Sequence, residues 1–379
     1  MKKNHTEKES REDFEPLSTD PSQSPTLPGF YYHDKEVFEA EKEKIFYKTW
    51  QLVAHTSQLP SPGTYVTAKI ADQNVFVVRG KDNKIRGFYN VCQHRAHELL
   101  KDTGCVKSRI VCPYHSWSYD LSGELKSVRD CNKPCFDMAE YGLTSVRVEE
   151  MLGFVFVNLD PSAIALKDVP GNMCEDIKAN VPWWDELVIS SEADSSRYSG
   201  TQLKTNWKVV SEGGMDNYHI DAVHPTYKNM FDVDSYKWDL DRHWSKGYGK
   251  MKGHTKEKSE ASQMALSWRL WPNTSFFLLP GEHFFTAMTY HAEQPDLTLR
   301  KDISLSRPGH ELKSEGWDYL WHTLWDEDLP TWEAVQRGLQ SRGYRQGRFI
   351  INPENPGISE YGPHFFQLSY ARAMGIKSD

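Results

Sequence analysis

No stretch of the 379-residue chain approaches the roughly 20 consecutive apolar residues that span a bilayer; Gly153–Val157 is typical of its longest apolar runs. No membrane partner is expected. The opening MKKNHTEKES carries charge without the apolar core of a secretory signal, so the expected location is cytoplasmic. Cationic excess is lacking as well: Lys+Arg number 45 against 53 Asp+Glu, a net charge of −8, which argues against nucleic acid as a partner. Cysteine is scarce, with six residues at irregular spacing. That is too few for a disulfide scaffold in a chain this long and points any ordered pair toward metal binding. Aliphatic residues are nearly absent from residues 1–27, where Ser, Pro and charge dominate, so this segment is expected to be a disordered tail.

Aromatic residues, in contrast, are plentiful: 13 Trp, 18 Tyr and 17 Phe, enough to line large pockets as well as fill a core. From Asp34, a plausible helix cap, Val37, Phe38, Ile45, Phe46 and Trp50 recur among charges at helical spacing and lead into a strand. Residues 48–160 then read as short β-rich runs such as TYVTAKI and NVFVVRG, separated by turn signals, which predicts a small all-β domain. Residues 28–47 and 161–379 are assigned to a second domain of mixed helices and strands. Within it the patterns predict a helix from Ser211 to about Ala222, strands over Trp268–Ala292 and an amphipathic helix over Leu329–Gln340. Asp239–Ser262 is polar and Gly-punctuated, and reads as a surface loop or a lid.

Two constellations carry chemistry. In the β-rich block, Cys92-x-His94 is followed after 17 residues by Cys112-x-x-His115. Two thiolates and two imidazoles suit a [2Fe–2S] centre in which His replaces Cys on one iron; a Cys₂His₂ zinc site uses the same ligand types, but usually as a Cys pair followed by a His pair on a finger helix. His97, just beyond the first pair, falls outside this pattern, and Cys105, Cys174, Cys131 and Cys135 lack matching histidines. The second constellation is NWKVVSEGGMDNYHIDAVHP, with Asp216 and His219 three apart and His224 five further on, next to Pro225. Two imidazoles and one carboxylate make the face that holds non-haem Fe(II) with positions left open. Asp326, Glu327 and Asp328 could supply that carboxylate, or could simply be acids at a helix start, with Pro330 in the first turn.

Together these motifs (CxH–x17–CxxH, NWK with DxYHxxxxH, and ED with ExxQ) resemble the oxygenase α subunits of the Rieske non-haem iron oxygenases, the ring-hydroxylating family, over about residues 27–374. The resemblance implies an α+β chain: an all-β Rieske [2Fe–2S] domain and a helix-grip, START-like catalytic domain with an antiparallel sheet. It implies that Cys92, His94, Cys112 and His115 hold the cluster, and that His219, His224 and Asp328 bind mononuclear Fe(II), with Asp326 and Glu327 as alternatives. Asp216 would bridge His219 to His115 of a neighbouring subunit in a homotrimer. Electrons would come from NAD(P)H through a separate reductase, with or without a ferredoxin, because the chain has neither a GxGxxG fingerprint nor a ferredoxin cysteine run. O2 is the co-substrate.

Segments such as CQHRAHELL and WPNTSFFLLPG are similar to the branch that oxidises quaternary ammonium compounds, which favours monooxygenation of such a cation over dioxygenation of an aromatic acid. Phe276, Phe277, Phe284, Phe285 and Trp325 are the available aromatic walls for cation–π contact. A Rieske electron carrier without a second iron, or a zinc-stabilised binding protein, are the other classes to separate. Two departures stand out. The carnitine branch tends to carry Glu where this chain has Asp216, and Gly213-Gly214 replaces the family's usual Asn and aromatic, which is expected to free space beside the iron.

Overall fold

The computed structural model describes residues 14–130, 136–190, 198–252, 264–278, 283–310 and 319–378. Asp34 caps α1 (Lys35–Glu41) by accepting the amides of Glu36 and Val37, as its place before the apolar run predicts. A π-helical stretch, Lys42–Phe46, then delivers the chain to β1 (Gln51–His55).

Nine further strands complete the β-rich block: β2 (Thr64–Ile70), β3 (Gln73–Arg79), β4 (Ile85–Tyr89), β5 (Thr103–Cys105), β6 (Arg109–Val111), β7 (Ser118–Asp120), β8 (Leu125–Ser127), β9 (Ser145–Met151) and β10 (Phe154–Asn158). They form a seven-stranded sheet in the order β1-β10-β9-β4-β3-β2-β5 and a three-stranded sheet β6-β7-β8. The large sheet is apolar on both faces because its strands alternate two sets of hydrophobic residues. On β3, Phe76 and Val78 pack toward the cysteine loops, whereas Val75 and Val77 join the core that also holds Trp207 and Tyr370. On β10, Val155 and Val157 enter that same core and Phe154 and Phe156 enter another, with Trp268 and Phe285.

The second domain is built on antiparallel β13 (Phe231–Leu240), β14 (Trp244–Met251), β15 (Met264–Leu270), β16 (Thr274–Leu278), β17 (Phe284–Gln294) and β18 (Leu297–Ser306), with β11 (Val188–Ile189) and β12 (Gln202–Leu203) both pairing with β18. The helices are α2 (Met173–Asn180), α3 (Trp207–Gly213), α4 (Ile220–Val223), α5 (Pro225–Met230), α6 (Leu324–Leu339) and α7 (Tyr361–Met374). Helix α3 contacts β17, α6 and α7, so the segment that carries both histidines leaves from the centre of the domain. The chain is α+β with antiparallel sheets, as expected.

The NWK and ExxQ motifs prove to be scaffold. Asn206 caps α3 by accepting the Lys208 amide, and the Gln336 side chain accepts the Asn206 amide and donates to the Tyr32 carbonyl. Lys208, fully buried, pairs with Glu41, which also accepts from Trp207 Nε1 (3.0 Å) and Tyr370 Oη (2.7 Å). These bonds fix α3 against α6 and α7.

Four expectations need correction. The tail ends earlier than residue 27: Leu17 and Leu27 are buried, Leu27 N donates to Gln367 Oε1, and Arg348 donates to the Gln23 carbonyl. Those partners lie more than 300 residues away in sequence, beyond the reach of local composition; residues 1–13 lie outside the described set. The helix expected over 211–222 is broken, ending at Gly213 and resuming as a single turn at Ile220. Residues 244–251 of the expected loop at 239–262 form strand β14, whose Gly247 and Gly249 admit the Tyr236 side chain from β13, while residues 253–262 lie outside the described set. Helix α6 starts five residues before the expected Leu329, which puts Pro330 inside the helix rather than in its first turn.

Candidate metal centres

The two cysteine loops are built alike. Cys92 N donates to the His97 carbonyl and Ala96 N to the Cys92 carbonyl, while Cys112 N donates to the Trp117 carbonyl and Ser116 N to the Cys112 carbonyl. Each loop turns through a left-handed residue, Ala96 at φ 54° and Ser116 at φ 59°. Both thiols are buried and free of disulfides, and Cys92 Sγ lies 3.2 Å from Tyr119 Oη. His94 is exposed and stacks on Trp117, with its ring 4.7 Å from that of the half-buried His115. His115 Nδ1 is buried without a hydrogen-bond partner. Two buried thiols and two neighbouring imidazoles, one with an orphaned buried nitrogen, suit a cluster with sulfur and nitrogen ends. Cys105 is exposed and Cys174 half-buried, both as free thiols; Cys131 and Cys135 lie outside the described residues. His97 turns its Nδ1 to the Glu98 carbonyl.

The second site forms where the broken helix leaves α3. His219 precedes α4, and His224 sits between α4 and α5 with Pro225 as the first residue of α5. His219 Nε2 and His224 Nε2 are 3.1 Å apart, and Asp328 Oδ1 from α6 lies 3.3 Å from the first and 2.9 Å from the second. Each ring's other nitrogen is held by a carboxylate: Asp216 Oδ2 at 3.0 Å from His219 Nδ1, and Glu327 Oε2 at 2.8 Å from His224 Nδ1. Protons on both Nδ1 atoms leave the two Nε2 lone pairs aimed at the Asp328 oxygen, an arrangement that suits a divalent cation. Tyr319 Oη donates to the same Glu327 oxygen at 2.8 Å, and Asp326 accepts from Tyr198 Oη. Of the three acids weighed at the start of α6, only Asp328 meets both rings. Burial pulls the His219 imidazole down, but the hydrogen bonds and charges of Asp216 and Asp328 outweigh it and lift it to about 9.

A cavity of about 140 Å³ opens beside this triad. Of the five aromatics expected to line it, Phe277 and Trp325 do, whereas Phe276, Phe284 and Phe285 are buried in the core. Tyr227, Phe231, Tyr236, Tyr290 and Trp332 line it as well and had not been singled out; they come from two helices and two strands that only the tertiary fold brings together. Gly213 and Gly214 do not free the space expected of them. A Cβ on Gly213 would lie 2.2 Å from Trp332 Nε1, and one on Gly214 3.0 Å from Arg269 Nη2. Two large side chains occupy what the glycines vacate.

A second cavity of about 280 Å³ also borders Asp216, together with Glu212 and Glu360. Burial pushes both carboxyls up to about 7; Tyr32 and Gln367 donate to Glu212, and Ile350 N donates to Glu360.

Residues 49–147 match the Rieske [2Fe–2S] domain family, and residues 189–376 match the ring-hydroxylating alpha subunit catalytic domain. The carnitine monooxygenase oxygenase subunit of Acinetobacter baumannii is 35% identical over 363 residues, covering 93% of this chain and 96% of that protein. The chain belongs to the Rieske-type ring-hydroxylating oxygenases. A chloroplastic choline monooxygenase from Amaranthus tricolor is 28% identical over 354 residues, covering 89% and 76% of the two chains. A quaternary ammonium Rieske monooxygenase crystallised with L-carnitine superposes with a TM-score of 0.82 at 33% identity over 94% of this chain and 97% of that one. As a member of this family the chain is an oxygen-incorporating oxidoreductase that uses a Rieske cluster, mononuclear iron and O2, with electrons from a separate reductase. No helix among the described residues is long and apolar enough to cross a membrane.

Proposed function

We propose that this oxygenase monooxygenates a small quaternary ammonium compound at a carbon next to nitrogen, in the overall balance RH + O2 + 2e⁻ + 2H⁺ → ROH + H2O. The observation that carries the reading is the aromatic-walled cavity against the triad, in a chain 35% identical along nearly its full length to a carnitine monooxygenase subunit. Cation–π attraction in such a cavity contributes up to about 2 kcal/mol per desolvated ring. Phe277 and Trp325 already carry a guanidinium on one face, from Arg269 at 5.3 Å and Arg300 at 3.7 Å. Tyr227, Phe231 and Trp332 are therefore the walls proposed to meet an ammonium.

In this reading Cys92, His94, Cys112 and His115 hold the cluster, and His219, His224 and Asp328 hold the iron. Together the two groups supply single electrons and the activation of O2. Asp216 holds the His219 ring by its Nδ1 proton and keeps its second oxygen on the Tyr218 amide at 2.7 Å. The same carboxylate, bordering the second cavity, is proposed to receive His115 of a neighbouring copy, which makes the working enzyme a homotrimer fed by an NAD(P)H-dependent reductase in the cytoplasm. Glu327 holds His224 in the same manner. The apolar walls exclude water from the substrate.

The test is a panel of betaines, choline and aromatic acids scored by reductase-coupled O2 uptake and product mass. An oxygenated or demethylated product from a quaternary ammonium compound supports the reading; a cis-diol from an aromatic acid, with none from the cations, overturns it.

A further inference from the structure

Lys208, Arg300 and Arg269, all in the second domain, are buried cations. Lys208 pairs with Glu41, and Arg300 makes a two-pronged pair with Asp302, at 2.9 and 2.8 Å. Arg269, 8% exposed, has no carboxylate partner among the described residues. One Nη donates to Ser275 Oγ at 2.6 Å and the other to the Gly214 carbonyl, while Nε is buried with no partner at all. A buried charge without a counter-charge is costly, and an orphaned donor adds to that cost. The carbonyl at the C-terminus of α3 offsets part of it through the helix dipole, but not the orphaned Nε.

The position of Arg269 suggests what balances it. Along β15, Ala265, Ser267 and Arg269 share one face by strand alternation, and the first two line the substrate cavity. Ser245 stands directly across from Arg269 on β14, and its hydroxyl too is buried without a partner. Around the guanidinium stand Gly214, Phe277, Tyr236 and Tyr290, all cavity residues. Because residue 214 is glycine, no side chain intervenes between its Cα and the guanidinium; an added Cβ would sit 3.0 Å from Nη2. Arg269 itself lines a small neighbouring cavity with Ser245 and Ser275, and its charge backs the wall of the substrate cavity on which Tyr236, Tyr290 and Ser267 stand.

We propose that Arg269 is a specificity-determining positioning residue that selects a zwitterionic substrate. The carboxylate end of the substrate is drawn to the hydroxyls in front of Arg269, and its ammonium end, repelled by the same guanidinium, is sent to the opposite side of the cavity. This rests on the quaternary ammonium reading above and narrows it to betaines over choline-like alcohols.

The test uses the iron-loaded enzyme without reductase, so that equilibrium binding is read with no turnover. Calorimetry gives dissociation constants for γ-butyrobetaine and L-carnitine, which carry a carboxylate, and for choline, which does not, with wild type, Arg269→Gln, Arg269→Lys and Tyr236→Phe. Wild type should bind the carboxylates more tightly than choline. Arg269→Gln should reduce that preference about tenfold or more while leaving choline affinity within about twofold, which is the loss of a buried positive charge acting through the wall of the cavity. Arg269→Lys, which keeps the charge, should restore part of it. Tyr236→Phe covers the case in which Arg269→Gln does not fold, and should lower the preference in the same direction. Equal loss of all three ligands, or an unchanged preference, would overturn the assignment. Wild type that binds betaines and choline alike refutes the role of Arg269 but leaves the quaternary ammonium reading intact; wild type that binds none of them refutes both.

Discussion

Iron binding at the proposed His219–His224–Asp328 site should release protons, with a defined pH dependence. In the metal-free site Asp216 and Asp328 hold the His219 imidazolium with a pKa of about 9, and the His224 ring is also raised from its ordinary value: burial lowers it, but Asp328 and Glu327 outweigh the burial. A metal needs the neutral ring, so the His219 proton must leave. At pH 7 that costs about 3 kcal/mol, from two pH units at 1.36 kcal/mol each. Affinity for Fe(II) should therefore rise about tenfold per pH unit from 7 toward 9 and level off above it. Anaerobic competition with a chelator measures the slope, and calorimetry in buffers of different ionisation enthalpy counts the protons: about one or more per metal at pH 7.5 and none near pH 10. The same linkage governs stability. His219 is raised in the folded state, so its contribution, up to ~3 kcal/mol for a side chain 19% exposed, is complete below pH 6.5 and is lost as pH rises through about 9. Metal-free protein should weaken to denaturant across that window, and iron-loaded protein should not. A flat affinity between pH 7 and 9 would show that the carboxylates do not hold a proton on the rings, and the tautomer reasoning would fail.

Three further outcomes are expected. Asp216→Ala should leave about three irons per chain, two in the cluster and one beyond it, yet abolish turnover; full activity would remove Asp216 from the electron route. Gly213→Ala should cost about 1–3 kcal/mol in denaturant titration and lower the mononuclear iron content, because Trp332 is displaced on the same helix as Asp328; unchanged iron would separate that packing from the site. Tyr119→Phe should lower the reduction potential of the cluster in protein-film voltammetry, since it removes the hydroxyl beside Cys92 Sγ; an unchanged potential would mean the hydroxyl does not act on the sulfur.

The parts of the site that were readable in the sequence are those set by spacing within a single loop. Cys92-x-His94 and Cys112-x-x-His115 are each one tight turn, and His219 and His224 sit either side of one short helix. The choice among Asp326, Glu327 and Asp328 depends on which side of α6 faces α4, a matter of tertiary packing; only the family resemblance selected Asp328. Expectations failed where a remote partner overrode local pattern. Leu17 and Leu27 find their burial against the C-terminal segment, and the glycines at 213 and 214 are filled from α6 and β15. Pro330 inside α6 shows tertiary contacts prevailing over a local signal, whereas the break after Gly213 follows the local Gly213-Gly214 pair. Arg269 gave no sign of itself, because a lone arginine in a strand reads as surface until its burial is known.

The double-sided hydrophobicity of β3 and β10 has a consequence for how such enzymes can be recombined. The cluster-bearing module rests Val75, Val77, Val155 and Val157 in the same apolar mass as Trp207 and Tyr370, so excising it would uncover a greasy underside with no replacement cover. Chimeras that exchange this module between relatives should express as insoluble material unless the matching wall of the host is transplanted along with it.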